Sequence, residues 1–158
     1  MALRKLTDVR LMQLVSGSGL DPLTGAVTLK APDDKPFDWT AAGRAGTFAD
    51  LLTPAGLDEV AGYANVIAPW KGWLIGLKTD AVTGARTQIK NKALIDNAHA
   101  RGLKVHTWTM RNDPTHLDPF YKGDPIAEYL DFFRLGVDGL FTDFADTAVA
   151  ARAQFLKS

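Results

Sequence analysis

The sequence predicts a parallel α/β fold, and three observations carry that expectation. Short apolar runs end in polar or turn residues, helical patterns lie between them, and two segments repeat one order of helix, glycine, strand and polar residues. The first is HARGLKVHTWTMRND, where Gly102 ends a helix, Leu103–Thr109 supply a strand, and Arg111, Asn112 and Asp113 follow. The second is FRLGVDGLFTDFAD, with Gly136 as the stop, Val137–Phe141 as the strand, then Thr142 and Asp143. In parallel α/β folds the polar residues just past the carboxyl end of each strand are the usual place for chemistry. Trp108, Arg111 and Asp143 are therefore the first candidates.

Taken in order, Val9–Val15 is a short, nearly continuous apolar run closed by Ser16 and Gly17, as expected of a strand buried on both faces. Residues 17–54 show no sustained period but many turn signals (DP, TG, APDDKP, AAGRAG), and read as a long loop insert in which Phe37 and Trp39 need something to pack against. Leu57–Tyr63 reads as a short helix, Val66–Ala68 as the second strand, and PWKGW as a loop. Ile89–Arg101 is predicted helical, with Ala93, Leu94, Asn97 and Ala98 near one face and Gly102 as its stop. The third strand is Leu103–Thr109, followed by a helix over 124–135, the fourth strand Val137–Phe141, and a last helix over 146–156. Strands joined by helical crossovers run parallel, with right-handed connections. Four such units fit half of an eight-stranded barrel, (βα)4. A whole one needs about 250 residues, against 158 here. The expected organisation is one partial domain spanning 1–158.

Composition narrows the function classes. A chain 46% hydrophobic and formally neutral is globular material. Eighteen basic against eighteen acidic residues leave no field to steer it onto nucleic acid or an anionic membrane. Without cysteine there is no disulfide, thiol catalysis or thiolate metal site. No run approaches the length of a membrane span, and MALRKLTDVR lacks the apolar core of a signal peptide, so neither is expected in this sequence.

The segments TPAGLDEVAGYA, IAPWKG, GLKVHTWTMRND, EYLDFF and LGVDGLFTDFAD, in that order, resemble the carboxyl-terminal half of glycerophosphodiester phosphodiesterases, especially the periplasmic or secreted bacterial branch. The resemblance runs from about residue 5 to residue 154 and includes the long insert after the first strand. It implies a TIM barrel and a phosphoric diester hydrolase acting in lipid and glycerol metabolism. Such an enzyme cleaves glycerophosphodiesters, such as glycerophosphocholine, to glycerol 3-phosphate and an alcohol. It implies a divalent cation, calcium or magnesium, and a periplasmic or secreted whole protein. The family's catalytic set is a His-Arg-Gly motif, a Glu-x-Asp pair, a second histidine and a further metal-binding glutamate. None of these occurs in this sequence. Hydrolysis of a phosphodiester needs an acid and base or a metal clamp, so the chain alone is expected to be inactive. Two departures bear on pocket shape: Ala64–Pro69 (ANVIAP) replaces the branch's glycine-rich ADGIGP, and Ala145 stands where TDFPD has proline.

Each candidate has two readings. The resemblance places Trp108 at a position that lines the substrate pocket, and core packing is the alternative. Lys71 and Arg111 follow strand ends and could neutralise a phosphate, arginine with a bidentate fork, or be solvated loop charges. Trp70 and Trp73 flank Lys71 as an apolar rim or as simple loop burial. Asp143 is read as a helix N-cap rather than a catalytic group, with Asp146 at the helix start. His106 shares strand parity with Trp108 and reads as a satisfied interior histidine; His99 lies at a helix edge, and His116 is read as solvated. Asp21, Asp33 and Asp34 are scattered loop acids without metal-ligand spacing, and no metal ligand is expected. Substrate contacts are expected from Trp108, Lys71, Arg111 and Trp70. Three organisations follow: part of a longer phosphodiesterase, a half-barrel that pairs with a copy of itself as a binding or structural module, or a half that complements a separate amino-terminal partner.

Overall fold

The computed structural model describes residues 3–158. Its centre is a four-stranded sheet in the order β1 (Met12–Val15), β4 (Val66–Pro69), β7 (Lys104–Met110) and β8 (Gly139–Thr142), every neighbouring pair parallel. Strand order therefore follows chain order with no reversal, whereas a doubly wound sheet reverses at its switch point. Three helices make the crossovers or close the chain where the sequence predicts them: α3 (Lys92–His99), α4 (Pro125–Leu135) and α5 (Ala145–Phe155). The predicted helix near 57–63 is α2 (Pro54–Ala61).

Local chemistry sets these boundaries. Thr53 opens α2 by accepting from Gly56 N at 3.1 Å, with Pro54 in the first turn, where its missing N–H costs nothing. Asn91 accepts from Leu94 N at 3.2 Å to start α3, and Asp124 accepts from Ala127 N at 3.2 Å to start α4. Gly136 closes α4 at φ 106°, a left-handed conformation that a side chain resists.

Two expectations are corrected. The helix predicted over 89–101 begins only at Lys92, because Ile89 and Lys90 belong to a β-hairpin of β5 (Ile75–Thr79) and β6 (Arg86–Lys90). The insert over 17–54 is not structureless either. It holds a second hairpin, β2 (Gly19–Leu20) with β3 (Val27–Thr28), the short helix α1 (Phe37–Ala41) and a 3₁₀ turn over Phe48–Leu52. Trp39 of α1 is buried, with the Arg44 guanidinium 3.6 Å from its ring centre.

The two hairpin turns are copies of each other, DPLTGA at 21–26 and DAVTGA at 80–85. In each the aspartate accepts from the amide and the hydroxyl of the threonine three residues on: Asp21 from Thr24 at 2.7 and 2.9 Å, Asp80 from Thr83 at 2.7 and 2.8 Å. These bonds hold both carboxyls below their ordinary value. Asp21 is thus a turn-former. The hairpins pack together, Thr79 N donating to Pro22 O at 2.6 Å.

The core lies on one face of the sheet. Ile67 and Val105 are in register and fully buried beneath the helices, with Leu57, Val60, Leu94, Ile95, Tyr129 and Phe132. On the opposite face, which period two gives to Leu14, His106, Trp108 and Phe141, Leu14 is 52% and Phe141 44% exposed. His106 and Phe141 meet edge to face at 6.5 Å. No helix among the described residues is long and apolar enough to cross a membrane.

Candidate functional site

The carboxyl ends of the four strands bring the predicted residues to one rim. Val15 O accepts from Trp70 N at 2.8 Å, and an isolated bridge joins Trp70 to Trp108, carrying the β4–β7 pairing one residue past the end of β4. The Trp108–Thr109 peptide is cis, and the β7–β8 register is interrupted between Thr107 and Met110. Trp108 is half-buried, and its indole N–H donates to Ala68 O at 2.7 Å. Trp70 is also half-buried. A Cβ on Gly17 would stand 2.6 Å from its ring and one on Gly72 2.2 Å, so two glycines make room for this indole. Trp73 turns the other way and donates to Ser16 O at 2.9 Å.

The two cations take different places. Lys71 is not a solvated loop charge: its Nζ donates to Glu128 Oε1 at 2.8 Å and to His116 O at 2.6 Å. Glu128, on α4, is 1% exposed, and burial pushes its carboxyl up although the Lys71 ammonium pulls it down. Its Oε2 has no partner among the described residues and borders a cavity of about 40 Å³ shared with Trp70, Lys71, Asp118 and Tyr121. This pair ties the loop after β4 to the loop after β7 and to α4. Sequence spacing gave no hint of it, since 57 residues separate the partners.

Arg111 is more open. Its Nε donates to Asp113 Oδ2 at 2.8 Å, and Nη1 lies 3.2 Å from Asp143 Oδ2. Asp113 also accepts from Thr115 Oγ1 at 2.5 Å and meets His116 Nδ1 at 2.5 Å, and these hydrogen bonds, with Arg111, hold it well below the usual carboxylate range. Asp143 does not cap α5, contrary to the sequence expectation. Phe144 occupies the cap position, and its amide donates to Thr142 Oγ1 at 2.9 Å, leaving Asp143 for Arg111.

The histidines lie apart from one another. His116 is tied to Asp113 rather than free in solvent. His99 Nε2 lies 2.7 Å from Asp138 Oδ2, at the opposite end of the sheet. His106 makes no ring hydrogen bond among the described residues, and burial lowers its pKa despite Asp138. It lies half-buried on the open face, packed edge to face on Phe141 rather than hydrogen-bonded.

The divalent cation implied by the resemblance finds no match in this arrangement. Calcium and magnesium want several carboxylate or carbonyl oxygens converging on one point. Asp113 and Asp143 face Arg111, Glu128 faces Lys71, and no three metal-ligating side chains converge among the described residues. The rim offers two aromatic rings, a guanidinium with donors to spare and a half-buried ammonium. That set can hold an anion against an apolar surface.

The profile of the glycerophosphoryl diester phosphodiesterase family matches residues 53–147. A glycerophosphodiester phosphodiesterase of Arabidopsis thaliana is 35% identical over 100 residues, which cover 62% of this chain and 25% of that protein. The crystal structure of a candidate glycerophosphoryl diester phosphodiesterase from Silicibacter pomeroyi DSS-3 aligns with a TM-score of 0.40 at 19% identity, covering 62% of this chain and 24% of that one. The chain thus spans about a quarter of the length of either relative. Since the matched span takes in β4, β7, β8 and the rim residues Trp70, Lys71, Trp108, Arg111 and Asp143, the chain belongs to the glycerophosphoryl diester phosphodiesterase family.

Proposed function

We propose that this chain is the carboxyl-terminal half, (βα)4, of a TIM-barrel glycerophosphodiesterase and supplies one side of its substrate site. In this reading Trp70 and Trp108 pack against the glycerol or alcohol moiety, and Arg111 neutralises the phosphate. Arg111 spends one of its five N–H donors on Asp113 and forms an ion pair with Asp143, which leaves donors for phosphate oxygens. Lys71 has one of its three donors left for the anion and acts chiefly by fixing the rim through Glu128. The acid–base groups and the calcium or magnesium site belong to the amino-terminal half, and the alcohol is released there. The chain alone binds weakly and does not turn over. The periplasmic or secreted branch is the one whose wording and insert it resembles, so we place the whole protein there.

The observation that carries this reading is the sheet itself: parallel strands in unbroken chain order, with β1 and β8 each paired on one side only. An eight-stranded barrel cut in two leaves that arrangement. The test is complementation. An amino-terminal half carrying the His-Arg-Gly and Glu-x-Asp motifs is produced separately and mixed with this chain. The reading expects glycerol 3-phosphate release from glycerophosphocholine in the mixture, reduced by Arg111→Met. A mixture in which the two halves bind without any hydrolysis, or in which Arg111→Met changes nothing, counts against it.

A further inference from the structure

We propose that His116 is a positioning residue for anion binding at the rim, holding the Arg111 guanidinium in place through the Asp113 carboxylate. The inference rests on the reading above, in which Arg111 meets the phosphate, and names the side chain that keeps it there. His116 stands between the two cations. Its carbonyl accepts from Lys71 Nζ at 2.6 Å, and its ring Nδ1 lies 2.5 Å from Asp113 Oδ1. The other oxygen of that carboxylate accepts from Arg111 Nε at 2.8 Å. A single run of contacts therefore leads from the buried Glu128, through Lys71 and His116, to Asp113 and Arg111.

The atoms already occupied show what the ring contributes. A long arginine side chain at a strand end rotates unless something holds it, and an anion that must arrest it binds more weakly. Arg111 is held at Nε by Asp113 and at Nη1, 3.2 Å away, by Asp143. Asp113 can hold Arg111 only while its own carboxylate is fixed, which is the work of the donors on Oδ1: Thr115 Oγ1 and His116 Nδ1, each at 2.5 Å. The turn itself does not need the imidazole. His116 N and Leu117 N both donate to Asp113 O, at 3.0 and 2.9 Å, and Asn112 Nδ2 donates to Thr147 Oγ1 at 2.8 Å, so backbone bonds and α5 shape this loop. The His116 ring is 52% exposed, and an open pair of this kind adds little to stability. Its effect is the geometry of the guanidinium.

Nuclear magnetic resonance of the full chain, with glycerol 3-phosphate as the probe, tests it at the Arg111 Nε–H signal. His116→Phe keeps a ring and the carbonyl that meets Lys71 but removes Nδ1. It is expected to speed solvent exchange of Arg111 Nε–H about tenfold. The same variant is expected to weaken glycerol 3-phosphate about threefold to tenfold. His116→Asn, whose Nδ2 can stand where Nδ1 stood, is expected to restore both readings, a rescue that a role in the turn alone would not give. A His116→Phe chain with the wild-type signal and affinity, or a His116→Asn chain no better than His116→Phe, overturns the proposal. Arg111→Met separates this inference from the reading beneath it: a wild type that binds the probe no better than Arg111→Met removes the phosphate reading, whereas indifference to His116→Phe alone removes only the role of His116. Should His116→Phe lose its dispersed amide spectrum, the wild type decides: the proposal expects slow exchange at Arg111 Nε–H, and exchange as fast as that of the exposed Arg86 contradicts it.

Discussion

Ile67 and Leu14 lie on neighbouring strands of one sheet, one step of register apart, yet Ile67 is fully buried and Leu14 is 52% exposed. The same contrast runs along β7, where Val105 and Thr107 are buried while His106 and Trp108 are half-open. One face has its helix layer; on the other, Val66 and Ala68 are buried but Leu14 and Phe141 stand open. Strands with apolar side chains on both faces belong to sheets covered on both faces. The difference teaches that apolar side chains on both faces of one sheet need not be covered equally: the helices cover one face, and part of the other stays open.

Substitutions on the two faces test that contrast most strongly. Phe132→Ala, beneath the helices at 1% exposure, is expected to cost about 3–5 kcal/mol in urea melts. Phe141→Ala on the open face is expected to cost below about 1 kcal/mol in dilute solution. Equal losses would break the comparison.

Next in size is Lys71→Met, which strands Glu128 and is expected to cost about 3 kcal/mol. Its pH dependence has a fixed sign. The folded Glu128 carboxyl titrates above its ordinary 4.5, so the folded state holds a proton that the unfolded state has released. The variant therefore loses stability as pH rises through that window, and a flat profile there would show that Glu128 does not ionise in place.

Asp138→Ala is expected to cost about 2 kcal/mol, from the loss of bonds to Lys104 Nζ at 2.8 Å, Val105 N at 2.9 Å and His99 Nε2 at 2.7 Å. Burial opposes ionisation of this carboxyl, but the three donors outweigh it and hold it at about 2. Its contribution is complete above 3.8 and fades as pH falls toward 2, so the variant is expected to show a shallower acid limb.

Smallest is Gly72→Ala, which drives a methyl against the Trp70 ring. Roughly 1 kcal/mol is expected, together with a shift in tryptophan emission. Unchanged emission would mean that the ring is not held between Gly17 and Gly72.

Much of this was legible in the sequence, for physical reasons that vary by residue. Gly102 and Gly136 announce the ends of helices because few other residues stop one so cleanly, and the apolar runs after them gave β7 and β8. The β6 strand of the hairpin was missed because Ile89 stands four residues before Ala93 and continues the apolar spacing of the helix that follows. The signal that could have found it is the Asp-x-x-Thr-Gly-Ala turn, present twice at 21–26 and 80–85. Asp143 misled because an acid near a helix start is normally a cap, and only the fold shows Phe144 at the cap position with Asp143 turned to Arg111. The rim positions of Trp70, Trp108 and Arg111 follow from strand ends that the pattern locates. Lys71 required the fold, since its partner Glu128 sits on a distant helix.

The most direct measurement is an assay of the purified chain with glycerophosphocholine across a range of calcium and magnesium concentrations. If the reactive groups belong to the other half of the barrel, glycerol 3-phosphate stays at the level of the protein-free blank throughout. Metal-dependent release that disappears with Arg111→Met would place catalysis on this half and contradict the account.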